Sequence, residues 1–383
     1  MGNCNIYLRQ EVVMKEKKAG RMIIFIAFWI IICLSKGIWF FAEKYLDSAN
    51  YENRQMATRP VIVLDNYGSF SSDYTSFFND NLQFRNNLIS LNSVIDYFCF
   101  GKSASDYVIV GKDNWLFYSR ADDGNPISCY QGTDLLSEEE LAAIANNCIA
   151  QRDFLLSQGK EFVIFIAPNK ERMYSEFLPK RYGEPANNYG TLQIYNYLKA
   201  NTDLRVVYPY NDLMDAKNNL TEPLWYKTDT HWNYLGGYVG ASALMAELGV
   251  EMPKIYSENI TISRGDNTSG DLAGMLNLSK QLRFADNEYS IDGYDLHNIE
   301  ELEWDFFGLV HYRAMDADPR SIYVIRDSFS SHMALYIGSQ FKESYLRFKS
   351  SYTYDDLAAS NPDIVVYETV ERYAYELANF SIQ

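Results

Sequence analysis

Cysteine is scarce in this chain of 383 residues: there are five in all, and no two are spaced as Cys-x-x-Cys. Cys4 and Cys33 fall in the N-terminal stretch, which leaves Cys99, Cys129 and Cys148. Those three allow at most one disulfide, whose partners the sequence does not choose. Only four histidines are present, with no Cys/His cluster, so no structural zinc site or other resident metal is expected. Positive charge is short as well, with 34 Lys and Arg against 50 Asp and Glu and a net charge of −16. Nucleic acid is therefore excluded as a partner, because its phosphates require basic patches. Internal repeats and low-complexity tracts are absent. What is plentiful is apolar surface, at 47% hydrophobic and 15% aromatic residues. That suffices for a sizeable core in one large domain or two ordinary ones.

Long apolar runs are also missing, with one exception. Residues 22 to 42, MIIFIAFWIIICLSKGIWFFA, make 21 residues in which Lys36 is the one charge, close to the ~20 that a helix needs to cross a bilayer. A lysine so near the end of the run can extend its amine to the headgroups. No small-x-small cleavage site follows, so an uncleaved anchor is expected rather than a removed signal peptide. Bulky Ile32 before Cys33 argues against a lipidated cysteine, and Ile6 in MGNCNI against myristoylation. Residues 1 to 42 carry a net +4, which leaves −20 for the rest. This asymmetry predicts a cytoplasmic tail over 1–21, a transmembrane anchor over 22–42 and an extracellular remainder from 43 to 383. The protein would thus be a single-pass component of the cytoplasmic membrane.

Outside the anchor, residues 43 to 104 read as a juxtamembrane stretch with a helix-like segment around TSFFNDNLQFRNNLISLNSVIDYFCFG. From 105 to 383 the pattern alternates. SEEELAAIANNCIAQRDFLLSQG is a helix, with Ser137 and Glu140 as a capping box and Gly159 just past its end. KEFVIFIAP, LRVVYPY, SIYVIR and DIVVYE read as buried strands, separated by helices near 189–200, 233–248 and 330–340. Continuous Val and Ile strands alternating with helices predict a parallel sheet covered on both faces. Residues 251 to 318, interrupted by Gly, Asn and Asp, read as an excursion over the site.

Such sheets bind ligands beyond the carboxyl ends of their strands, which directs attention to APNK, RDSFS and YETVER. Ser328 in RDSFS stands on a strand-to-helix turn. There, unpaired backbone N–H groups and the helix dipole favour a developing oxyanion. A serine needs a base, most often histidine. In YKTDTHWNYLGG, Asp229 and His231 lie two apart, so an extended backbone turns both to one side. A carboxylate there would hold the imidazole tautomer and steady its charged form. His297 lies in an acidic loop and His311 beside Tyr312 and Arg313, while His332, one turn beyond Ser328, is poorly aimed at its Oγ.

WYKTDTHWNYLGGYVGA followed about a hundred residues later by VIRDSFS resembles the SGNH-hydrolase-like acetyltransferases of alginate O-acetylation, the AlgX/AlgJ or DHHW family. YENRQMATRP, FFNDNLQFRNNLI, VIVGKDNWLFY, APNKERMYSEFLP, GDLAGML and NPDIVVYETVER agree in order, so the resemblance spans about residues 51 to 372. It implies an SGNH-like, flavodoxin-like α/β fold with Ser328 as nucleophile, His231 as base and Asp229 as orienting acid. Arg326 stands where family members commonly have glycine, which bears on the oxyanion region or substrate choice. Asn169 is a candidate side-chain donor to the oxyanion, and Lys170 a neighbouring substrate contact. Trp232, with Trp115, Trp225 and Tyr226, is a candidate for stacking on sugar rings. The implied activity is O-acetylation of a cell-surface or secreted polysaccharide without a bound cofactor. Since acetyl-CoA is not found outside the cell, a membrane acyltransferase of the MBOAT type would supply the acetyl group. An esterase using water, and a glycan-binding scaffold without catalysis, are the alternatives.

Overall fold

The computed structural model describes residues 22–30, 56–62, 68–82, 85–294 and 297–383. The chain divides into two units, Met1–Ile95 and Asp96–Gln383. In the first, residues 22–30 are helical with exposed side chains. The expected tail (1–21) and the rest of the expected span (31–42) lie outside the described residues. No helix among the described residues is long and apolar enough to cross a membrane. Two further helices, Phe70–Asp80 and Arg85–Val94, occupy much of the expected juxtamembrane helical stretch.

The second unit is built on a seven-stranded sheet, with a two-stranded ribbon of β1 (Val108–Val110) and β2 (Leu116–Tyr118) beside it. The sheet takes in β3 (Glu161–Ala167), β4 (Arg205–Val207), β7 (Ile299–Trp304), β8 (Leu309–Ala314), β9 (Asp318–Arg326), β10 (Phe341–Phe348) and β11 (Ile364–Val370). A second ribbon pairs β5 (Thr261–Thr268) with β6 (Asp286–Asp292). The order across the main sheet is β4-β3-β11-β9-β10-β8-β7. The first five strands are parallel, β8 is added antiparallel to β10 at one edge, and β7 pairs antiparallel with β8 beyond it. The expectation of a wholly parallel sheet is corrected to that extent, and part of the 251–318 excursion becomes sheet. β7 escapes a sequence reading because IEELEW is exposed along most of its length and three glutamates interrupt its apolar residues.

The period-two rule explains why β3 is buried throughout. Val163, Phe165 and Ala167 enter one core layer with Leu235, Tyr238 and Leu244 of helix α3 (Tyr234–Glu247). Phe162, Ile164 and Ile166 enter the other, with Leu141 and Ile144 of α1 (Glu138–Ser157) and Ile194 and Leu198 of α2 (Gly190–Asn201). Each such side chain contributes roughly 1.5–3 kcal/mol on leaving water. The Ser137–Glu140 capping box is formed at the start of α1. Cys99, Cys129 and Cys148 are all free thiols. β3, β9 and β11 end at Ala167, Arg326 and Val370, so the segments carrying Asn169, Ser328 and Arg372 leave the same edge of the sheet.

Candidate active site

Ser328 lies two residues beyond β9, at the start of a single 3-10 turn, Phe329–His332, which leads into the short helix Ala334–Gly338. The expected helix over 330–340 is thus present only as these two pieces. Asp327 shapes the turn: its carboxylate accepts from the N–H of Phe329 at 2.9 Å and of Val370 at 2.8 Å. Its own N–H donates to Glu368 at 2.7 Å. Burial and the neighbouring Asp327 push the Glu368 carboxyl well above the usual range.

The segment 226–233 has no regular secondary structure except a bridge between Trp225 and Trp232. It brings His231 Nε2 to 2.7 Å from Ser328 Oγ, and His231 Nδ1 to 2.6 Å from Asp229 Oδ1. Asp229 also accepts from the His231 and Asp271 backbone N–H groups, both at 2.9 Å. The Asp229 and His231 side chains retain 18% exposure each, so the pair opens to solvent at one side. Burial works against the charged form of both groups. Their mutual attraction and hydrogen bonds prevail, which holds Asp229 below the usual carboxylate range and raises His231. This is the electrostatic pattern of an acid that stays ionised beside a base.

The structure thus brings together Ser328, His231 and Asp229 from segments 97 residues apart. Other residues singled out in the sequence are arranged differently. Asn169 is 2% exposed at the end of β3, and neither atom of its carboxamide has a hydrogen-bond partner. Such a buried, unpaired amide calls for an explanation. Lys170 is not a substrate contact. Its amine is buried and donates to the carbonyls of Leu116, Lys227 and Asp229 at 2.6, 2.8 and 2.8 Å. Burial pulls it down to about 8. Arg326 is fully buried. Its guanidinium is engaged by Phe306 O, Asp327 O and Ser331 Oγ and lies over the Phe348 ring, which leaves it committed to the protein. Trp232 is likewise core: it is fully buried, and its Nε1 donates to Phe329 O at 2.8 Å, so it pins the turn that carries Ser328 rather than stacking on a sugar. Trp115, Trp225 and Tyr226 are also buried. His332 packs against the Tyr226 and Tyr234 rings, and burial lowers it to about 4.

Sequence reading gave no role to Gly270, Asp271, Asp286 or Arg372. Asp286 accepts from the N–H groups of Lys227 and Thr228 and from Thr228 Oγ1. A Cβ on Gly270 would stand 2.2 Å from Asp229 Cβ, so only glycine allows this approach. The available signal was GDLAGML, which pairs a glycine with an acid in an otherwise apolar stretch. Asp229, His231 and Asp271 form the described group that could bring three metal-ligating atoms together, within 4.8 Å of one another. The Asp229 and Asp271 carboxylates and the His231 ring are already engaged in hydrogen bonds among these residues and Thr230. Arg372, after β11, lies 5.8 Å from the Phe329 ring centre and lines a cavity of ≈460 Å³ with Asp122, Ser128, Asp134, Thr191 and Glu371.

Residues 108–301 match the family of the SGNH hydrolase-like domain of acetyltransferase AlgX. This match takes in Asp229, His231 and Asp271 and ends before Ser328. Over 176 residues the chain is 31% identical to the probable alginate O-acetylase AlgJ of Pseudomonas putida, covering 45% of this chain and 42% of that protein. Identity to the probable alginate O-acetylase AlgJ of Pseudomonas syringae pv. tomato is 23% over 242 residues, 60% of this chain and 53% of that one. The chain therefore spans about half the length of the curated relatives it matches. Among solved structures, Bacillus cereus PatB1 with a sulfonyl adduct superposes with a TM-score of 0.51 at 15% identity, over 72% of this chain and 99% of that one. That likeness is one of fold. The chain belongs to the family of the SGNH hydrolase-like domain of acetyltransferase AlgX.

Proposed function

We propose that the protein is a polysaccharide O-acetyltransferase that works through an acetyl-Ser328 intermediate. The observation that carries this reading is the continuous hydrogen-bonded chain from Ser328 Oγ through both ring nitrogens of His231 to Asp229. His231 Nε2 takes the Ser328 proton as Oγ attacks the acetyl carbonyl, and Asp229 steadies the imidazolium that forms. Collapse of the tetrahedral intermediate returns that proton to the leaving alcohol of the donor. In the second half, His231 takes the proton of a sugar hydroxyl, whose oxygen attacks the acetyl-serine. Ser328 then leaves with the proton, so the enzyme is regenerated. The unpaired Asn169 carboxamide is our candidate donor to the oxyanion in both halves. The cavity that Arg372 lines, which none of the triad residues enters, is of a size that accommodates a sugar residue.

The names of the AlgJ relatives support a polysaccharide acceptor. The basic-then-apolar N-terminus supports a single-pass protein with its catalytic unit outside the cell; because acetyl-CoA is not found there, an MBOAT-type acyltransferase in the cytoplasmic membrane is the acetyl supplier in this proposal. The test uses a chromogenic acetyl ester with the full-length chain. Acetyl should appear on Ser328 by mass spectrometry, and Ser328→Ala should lose at least about 10³-fold in turnover. A polysaccharide acceptor should divert acetyl from free acetate to sugar; undiminished acetate release would make the protein an esterase. An unaltered rate in Ser328→Ala would end the assignment.

A further inference from the structure

We propose that Asp271 is a positioning residue that sets the basicity of His231, as a second carboxylate behind the acid of the triad. The proposal rests on reading His231 as the base, and it concerns how that base is poised. Asp271 does not touch the imidazole. It grips the residue between acid and base instead: Oδ1 accepts from the Thr230 N–H at 2.8 Å and Oδ2 from Thr230 Oγ1 at 2.6 Å. Its own N–H donates to Asp229 Oδ2 at 2.9 Å, on the oxygen that the imidazole does not use. Thr230 Oγ1 in turn lies 3.2 Å from His231 Nδ1. One residue thereby holds both sides of the Asp229–His231 pair. Gly270 leaves no space between the two segments, so the grip has little slack.

Two carboxylates this close do not share the same chemistry. Asp229, with three donors, is held low, whereas burial and the charge of Asp229 raise Asp271. Asp271 is therefore the carboxylate that changes charge near His231 as pH falls. The other charged or titratable groups facing His231 are Arg372, which opposes its protonation, and His332, whose ring lies 6.4 Å away. The Lys170 amine sits on the Asp229 carbonyl, behind the same segment. Of these, Asp271 alone adds negative charge beside Asp229. Removing its charge should lower the pKa of His231, because an imidazolium loses a stabilising neighbour.

The experiment follows His231 in the full-length chain by NMR titration, alongside the pH dependence of chromogenic acetyl ester turnover. In the wild type, the His231 resonances should show a further inflection on the acid side that His332, followed at its own resonances, does not account for, as Asp271 takes up a proton. Asp271→Asn keeps an acceptor for Thr230 but removes the charge. It should abolish that inflection and move both the His231 midpoint and the acid limb of turnover to lower pH by roughly one unit. Asp271→Glu should restore the midpoint. The absence of that further inflection in the wild type, or an unmoved midpoint in Asp271→Asn with turnover lowered equally at every pH, would overturn the proposal and leave Asp271 a purely structural residue. If His231→Ala left turnover intact, the base assignment would fail instead, while the titration would still report whether Asp271 and His231 are coupled.

Discussion

The segment bearing Asp229 and His231 and the turn bearing Ser328 meet through the His231–Ser328 and Trp232–Phe329 hydrogen bonds, yet they are held in place by different means. Ser328 follows directly from β9, which is paired to β10 on one side and β11 on the other. Its location is largely an extension of a sheet ladder, trimmed by Asp327, Glu368 and the Trp232 indole. The 226–233 segment has almost no ladder. Backbone partners serve some of its groups, with the Leu116 and Ala273 N–H groups on the Lys227 and Thr228 carbonyls, and charged side chains from distant parts of the chain serve others: Lys170 for carbonyls, Asp286 and Asp271 for N–H groups. Buried irregular backbone must find partners somewhere, and here charged groups provide many of them. The comparison teaches that the Asp229–His231 half of the site depends on remote residues more than the Ser328 half does.

Three substitutions test that asymmetry. Lys170→Met should have the largest effect, because it removes one donor from three carbonyls at once. Lys227 O keeps the Leu116 N–H, so at the ordinary cost of the acceptors that lose their donor, urea denaturation should reveal a loss of about 2 kcal/mol or more. Gly270→Ala comes next. Its new Cβ must push Asp229 aside, and a displacement near 1 Å should lower ester turnover about 10²-fold. Arg326→Met is the control on the nucleophile side. It keeps an apolar stem beside Phe306 and Phe348 but loses the hydrogen bonds to Phe306 O and Ser331 Oγ. Since β9 still fixes the turn, about 1–2 kcal/mol of stability should be lost, with turnover largely kept. If Arg326→Met proved more damaging than Lys170→Met, the proposed asymmetry would be reversed.

Much of the frame was legible from local pattern. The apolar runs of β3, β9 and β11 announced central strands, and Ser137 with Glu140 announced the start of α1, because burial on both faces and end-capping both leave marks in adjacent residues. β10 was not legible: in FKESYLRF three consecutive polar residues, Lys342 to Ser344, break the period-two pattern that marks a strand, and the stretch follows a helix of only five residues. The site was legible in its chemistry and illegible in its support. Asp-x-His and the serine after a strand are short-range signals. Lys170 and Trp232, by contrast, carry types common to ligand contacts and to cores, and only their burial separates the two.

By itself, the sequence determined that β3, β4, β9 and β11 are strands and α1, α2 and α3 helices, that Asp229 and His231 sit two apart, and that Ser328 follows a strand. These are properties of neighbouring residues and of the dihedral preferences they share. Tertiary structure alone decided that His231 reaches Ser328 from 97 residues away, that Asp271 rather than another acid backs the pair, and that Lys170 faces inward. Those outcomes depend on strand order and on which buried polar groups are left needing partners, and neither quantity is encoded in any single stretch of chain.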